Sequence, residues 1–318
     1  MHRLRPLLLV ALMLALVALL GGPVAPAVAA PAVQAPTELT VFAAASLTDA
    51  FRQIGRNFER ANPGTKVIFN FAGSQQLAAQ LGQGAPADVF ASANTAQMSV
   101  AVNAGRVAKD TSKPFVLNRL VVVTAPGSKV RITRLQDLAK PGLKLVFAAK
   151  AVPVGQYTLD FLDKASRDAA FGSGFKDNVL KNVVSYEDSV RSVLTKVSLG
   201  EGDAGVAYVS DVVSSPRTPV RRIEIPRSLN VLASYPIAPV SDSRNPALAQ
   251  KFVAYMFAGD TRLLLYGMDF PEFLRGFPPA AELPYLHGVA LLDRFWTEAH
   301  VAADAVALAP AALAGLPL

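Results

Sequence analysis

Short apolar runs alternate with helical segments along most of this chain, and that alternation restricts the fold more than any other feature. Leu39-Thr40-Val41-Phe42-Ala43-Ala44-Ala45 is apolar enough for a strand covered on both faces. Ser46 then opens a segment with Leu47, Ala50, Phe51, Ile54 and Phe58 at helical spacing, which Asn62-Pro63-Gly64 stops. A strand over Lys66–Phe71, a helix over Gln75–Leu81 and a strand over Ala87–Ser92 follow. The order β-α-β-α-β predicts an α/β lobe with a mainly parallel sheet and helices on both faces.

The same grammar returns later. Asn118–Thr124 reads as a strand crossing into a second lobe, followed by a helix near Leu135–Ala139, a strand over Lys144–Ala148 and a helix over Gln156–Ser166. Next come a strand over Asn182–Ser185, a helix over Glu187–Leu199 and a strand over Ala204–Tyr208. Tyr235–Val240 suits a return crossing, and Pro246–Phe257 a helix back on the first lobe. The expectation is a two-lobed architecture with lobe I at 38–120 plus about 236–280 and lobe II at about 121–235. Its ligand site belongs in the cleft between lobes, at the carboxyl ends of the strands.

The ends differ from this middle. Residues 1–30 show a basic start (Arg3, Arg5), an apolar run from Leu7 to Leu20 and Ala27-Val28-Ala29, the pattern of a secretory signal peptide. The apolar run is shorter than the roughly 20 residues of a spanning helix. Residues 31–37 read as a Pro/Ala linker, and residues 281–318 as an Ala-rich extension to which no role is assigned. Cysteine is absent, which excludes disulfides, thiolate chemistry and the lipid-bearing cysteine of a lipoprotein. The expected product is exported, periplasmic and soluble. Removing Arg3 and Arg5 with the leader takes Lys and Arg from 31 to 29 against 24 acidic residues. Those charges are scattered, so a nucleic-acid partner is not expected.

Enzyme readings lack parts. Beyond the leader only His287 and His300 remain, both in the C-terminal stretch, and no phosphate-loop, dinucleotide or nucleophile-elbow motif occurs. The lobes instead carry two serines, Ser46 and Ser74, each placed just after a strand and at a helix start beside small residues. A serine there either caps its own helix or turns its hydroxyl toward an anion held by the unpaired N–H groups. Ser46-x-x-Asp49 favours the cap, whereas the repetition of the arrangement favours the anion.

These segments resemble a known family, the periplasmic molybdate-binding proteins of bacterial ABC importers. Val41-Phe42-Ala43-Ala44-Ala45-Ser46-Leu47-Thr48 is similar to that family's opening V-F-A-A-A-S-L-T, and Phe71-Ala72-Gly73-Ser74 with Leu77-Ala78 to its F-A-[SG]-S-x-x-L-A. Gly84–Ala93 resembles G-A-P-A-D-[LV]-F-[AI]-S-A, and Val152–Tyr157 resembles V-P-A-G-x-Y with Val154 in place of the usual Ala. Glu187–Arg191 is similar to E-x-S-V-[KR], and Gly205–Asp211 to G-[IV]-V-Y-x-S-D.

The resemblance, running from about Leu39 to Phe257, implies the two-lobed periplasmic binding protein fold and a binding function without catalysis. It implies that molybdate or tungstate is held as an intact oxyanion by the hydroxyls of Ser46, Ser74 and Tyr208 and the backbone amides at Val154 and Val190. No protein atom then coordinates the metal and no cofactor is needed. The implied partner is the membrane permease of an ABC importer, served by a monomer. Another oxyanion such as sulfate, or a small carboxylate, is the alternative ligand. Asp88, Glu187 and Asp188 are read as caps or contacts between lobes. Arg191 is read as a neutralising or a surface charge.

Overall fold

The computed structural model describes residues 35–128, 130–213 and 219–257. The expected signal peptide and C-terminal extension lie outside them. Every element below lies between Thr37 and Met256.

The first half opens with β1 (Thr37–Ala44), a 3-10 turn (Ala45–Leu47) and α1 (Thr48–Ala61), then β2 (Thr65–Ala72) and α2 (Ser74–Gly82). It continues with β3 (Val89–Ala91) and α3 (Thr95–Asn103). β4 (Lys113–Thr124) leads to a second 3-10 turn (Leu135–Ala139), β5 (Leu145–Ala148), α4 (Pro153–Arg167) and α5 (Phe175–Lys181). β6 (Val183–Glu187), α6 (Val190–Ser198), β7 (Ala204–Tyr208), α7 (Val209–Val213) and β8 (Arg221–Glu224) complete the second half. β9 (Leu232–Pro239) and α8 (Pro246–Met256) return.

The strands join in the order β2-β1-β3-β9-β4-β7-β5-β6, with β8 also on β4. Pairing is parallel for β1 with β2 and β3 and for β5 with β6 and β7. It is antiparallel wherever β4 or β9 takes part. β1, β2 and β3 in the first half and β5, β6 and β7 in the second keep the parallel pairing expected of each lobe, and the crossing strands β4 and β9 make the sheet as a whole mixed. The chain leaves the first half along β4 and comes back along β9, so these two strands must run in opposite directions. β4 changes partner along its length: Lys113–Arg119 pairs with β9, and Leu120–Thr124 with β7 and β8.

Sequence pattern explains the elements that were legible. In β1, Leu39 and every residue from Val41 to Ala44 is buried, as a strand covered on both faces requires. α1 buries Ala50, Phe51, Ile54, Gly55 and Phe58, one face of a helix, and lays it on β2. There Phe51 meets Phe115 edge-on at 5.9 Å and Phe252 of α8 at 6.3 Å, while Phe58 meets Phe252 at 5.1 Å. These contacts tie the returning helix to the first. α3, α5 and β8 were not expected: α3 buries only Met98 and Ala101, and β8 is a charged, largely exposed edge strand without alternation.

Phe51→Ala should remove the hub of this aromatic cluster and cost about 3–5 kcal/mol of unfolding free energy. Urea unfolding checks this, and a loss below 1 kcal/mol would contradict the packing role given to Phe51.

Candidate functional site

Ser46, Ser74, Val154, Val190 and Tyr208, far apart in sequence, line one small cavity and are all buried. The cavity is small, about 10 Å³, which leaves no room for an extended organic solute.

Each residue stands where a strand gives way to a helical turn. Ser46 lies in the 3-10 turn after β1, Ser74 is the first residue of α2, and Val154 is the second of α4. Val190 is the first residue of α6, and Tyr208 ends β7. First-turn N–H groups have no partner within their own helix and carry the positive end of its dipole. Several such starts aimed at one point form an anion cradle. Among the described residues no Lys, Arg, Asp or Glu lines the cavity, so backbone and hydroxyl groups supply the polarity.

Neither serine caps its helix. α1 begins after Leu47 without a side-chain cap, and α2 begins after Gly73, so the capping box suggested by Ser46 and Asp49 does not form. The Ser74 oxygen accepts from the Ala93 N–H at 2.9 Å, and the Ser46 oxygen lies 3.0 Å from the Tyr235 hydroxyl. The Tyr208 hydroxyl is buried without a hydrogen-bond partner of good geometry among the described residues, though the Tyr235 hydroxyl acts on it and the two rings pack edge-on with centroids 5.7 Å apart. Burial pushes the Tyr208 phenol well above its ordinary range, and it stays a donor. Such a hydroxyl costs about 1–3 kcal/mol until something accepts its proton.

Two glycines permit the convergence. A side chain at Gly155 would run into the carbonyl oxygens of Ala148 and Ala149, so only glycine lets the first turn of α4 sit against the end of β5. A side chain at Gly73 would strike the Asp188 carbonyl oxygen, which belongs to the opposite half. Other contacts join the halves at the rim. Gln75 donates to the Asp188 carbonyl at 2.8 Å, Gln76 to its carboxylate at 3.1 Å, and Gln97 to the Ala151 carbonyl at 3.2 Å. Arg191 pairs with Asp49 across the halves and lies 3.6 Å from buried Asp211.

Asp188 thus makes a contact between halves. Asp88 instead accepts from the Thr40 N–H and the Ser243 hydroxyl, and Glu187 pairs with Lys196. Tyr235, Asn118 and Ala93 were missed as site residues. Tyr235 stands 189 residues from Ser46 and reads in sequence as one more buried strand aromatic. Elsewhere an open depression of about 570 Å³ lies along Gln53, Arg56, Glu59 and Arg60, side chains of one helix face without convergent donors. Among the described residues, no group of three or more His, Cys, Asp or Glu could hold a metal ion, and no helix is long and apolar enough to cross a membrane.

The sequence model of the family described as bacterial extracellular solute-binding protein matches residues 39–267. The molybdate-binding protein ModA of Mycobacterium tuberculosis is 42% identical over 232 residues, 73% of this chain and 84% of that protein. Among solved structures, the substrate binding domain of a putative molybdenum ABC transporter from Clostridium difficile superposes with TM-score 0.54 at 27% identity, covering 73% of this chain and 97% of that one. The sulfate-binding protein SubI of Mycobacterium tuberculosis superposes with TM-score 0.67 at 20% identity, covering 76% and 92%, a likeness of fold alone.

Burial drives the Asp211 carboxyl up to about 7, against the opposing pull of Arg191 and the Tyr208 N–H, while Asp49 adds to the rise. In the unfolded chain it returns to 3.8, so the folded state holds the extra proton between these values. Stability from this group is therefore full below about pH 4 and lost as pH rises toward 7. Asp211→Asn lacks that loss, so its stability relative to the parent should improve by about 2 kcal/mol between pH 5 and pH 7. Urea unfolding at both pH values checks this, and an unchanged difference would contradict it.

Proposed function

Since the chain belongs to the family of bacterial extracellular solute-binding proteins, we propose that it captures molybdate, and tungstate as well, and delivers the anion to an ABC-type permease. The observation that carries the ligand is the convergence of Ser46, Ser74, Val154, Val190 and Tyr208 on one compact cavity without a charged lining residue. Its support is the 42% identity to a protein named as molybdate-binding. The protein works as a soluble, lipid-free periplasmic monomer and binds its solute without turnover.

The Ser74 oxygen accepts from the Ala93 N–H, which leaves its proton to offer a ligand, and Ser46 offers its own proton when its oxygen accepts from Tyr235. The hydroxyls of Ser46, Ser74 and Tyr208 and the N–H groups of Val154 and Val190 then replace the water around a dianion. Neutral donors hold the ion without a fixed countercharge, so it leaves when the halves part. Lobe I takes 38–120 plus about 236–280 and lobe II about 121–235; the change of β4 partner between Arg119 and Leu120 supports that division. The rim contacts of Asp188 with Gln75 and Gln76 would form on closure.

Calorimetry of the purified protein should show one molybdate or tungstate per chain and much weaker sulfate and phosphate binding. Ser46→Ala and Ser74→Ala should each weaken molybdate by about ten-fold to a hundred-fold, a charge-assisted hydrogen bond being worth about 1.5–3 kcal/mol. Neither serine caps its helix, but each shares a buried hydrogen bond, Ser74 with the Ala93 N–H and Ser46 with the Tyr235 hydroxyl, so each variant should also lose about 1–3 kcal/mol of unfolding free energy, measured beside affinity. Parent-like binding in both would remove the serines from the site, and tighter binding of sulfate would transfer the assignment to that anion.

A further inference from the structure

Ser46 does not stand alone behind the cavity wall. Its oxygen lies 3.0 Å from the Tyr235 hydroxyl, and the Asn118 side-chain nitrogen lies 3.4 Å from that same hydroxyl and 2.7 Å from the Ser210 oxygen. Asn118 has its amide orientation fixed from the other side, because its carbonyl oxygen accepts the Arg119 N–H at 2.9 Å. An amide so oriented can present only N–H donors to Ser210 and Tyr235.

From these contacts we infer that Asn118 and Tyr235 form a one-way donor relay that holds the Ser46 proton toward the cavity and sets the site against protonated oxyanions. The inference rests on the oxyanion reading above. Tyr235 accepts from Asn118, and of the hydroxyls beside its own proton, Ser46 at 3.0 Å and Tyr208, the relay assigns that proton to the Ser46 oxygen. A serine has one proton; with its oxygen accepting from Tyr235, that proton is left for the ligand. Burial, reinforced by Asp211, pushes the Tyr235 phenol far above the tyrosine range, so the relay keeps its proton.

Ser74 shows the same polarity by a shorter route, its oxygen accepting from the Ala93 N–H. Molybdate and sulfate, which carry no proton at neutral pH, need donors alone. Hydrogen phosphate needs an acceptor for its own O–H and finds none in either serine. Tyr235 and Asn118 are positioning residues: they act through Ser46 and need not touch the ligand.

The test compares the full chain with Asn118→Asp and Tyr235→Phe, titrated at pH 8 with molybdate and sulfate, with phosphate followed by displacement of molybdate. The new carboxylate in Asn118→Asp only accepts, so it draws the Tyr235 proton away from Ser46 and frees Ser46 to donate backwards. Molybdate and sulfate affinities should both fall, while the preference for molybdate over phosphate narrows about ten-fold, roughly 1.4 kcal/mol. Added charge alone would weaken all three anions alike, since all are predominantly dianions at that pH. Tyr235→Phe, which keeps the buried ring, should narrow the same preference by about three-fold and serves if Asn118→Asp does not fold. An unchanged preference for molybdate over phosphate in the folded variants would overturn the relay while leaving the oxyanion site standing. Failure of the parent to bind any of the three anions would instead overturn the site, and the relay with it.

Discussion

A cavity that takes a dianion out of water without a countercharge must replace its hydration by donors already in place, because burying an unpaired charge otherwise costs many kcal/mol. That requirement accounts for why helical starts, rather than basic side chains, surround the cavity. The 3-10 turn after β1 and the first turns of α2, α4 and α6 all point there. The donors are fixed to rigid elements, so little ordering remains when a ligand arrives.

The sheet makes such a meeting point available. β1, β2, β5 and β6 each end beside it, and the parallel pairing of β1 with β2 and of β5 with β6 puts those ends at the same edge within each half. β4 and β9 carry the chain out and back, joining the two halves by backbone hydrogen bonds. Side-chain contacts close the rim, with Asp188 against Gln75 and Gln76, and Arg191 between Asp49 and Asp211. These rim contacts are polar, while beneath them one buried apolar cluster runs through both halves.

Much of this was legible because the information is local. The apolar runs of β1 and β5 and the spacing of Phe51, Ile54 and Phe58 depend on neighbours in sequence, and they appear where expected. All five residues carried over from the family resemblance line the same cavity, though Val154, Val190 and Tyr208 were named only through that resemblance. Features resting on long-range pairing were not readable. Ser46 looks like a helix cap until Tyr235, 189 residues away, is brought to 3.0 Å from it. The orientation of Asn118 depends on its Ser210 and Tyr235 contacts, which no sequence period reports. β8 escaped notice because an exposed edge strand needs no apolar alternation, and α3 because only two of its side chains enter the core.

Anomalous diffraction from crystals grown with tungstate tests the central claim most directly, since the heavy atom locates itself. The account predicts a single strong peak in the cavity, with its oxygens within hydrogen-bond distance of the Ser46, Ser74 and Tyr208 hydroxyls and the Val154 and Val190 N–H groups. No protein atom should coordinate the metal. A peak beside surface Lys or Arg side chains, or an empty cavity in tungstate-saturated crystals, would contradict it.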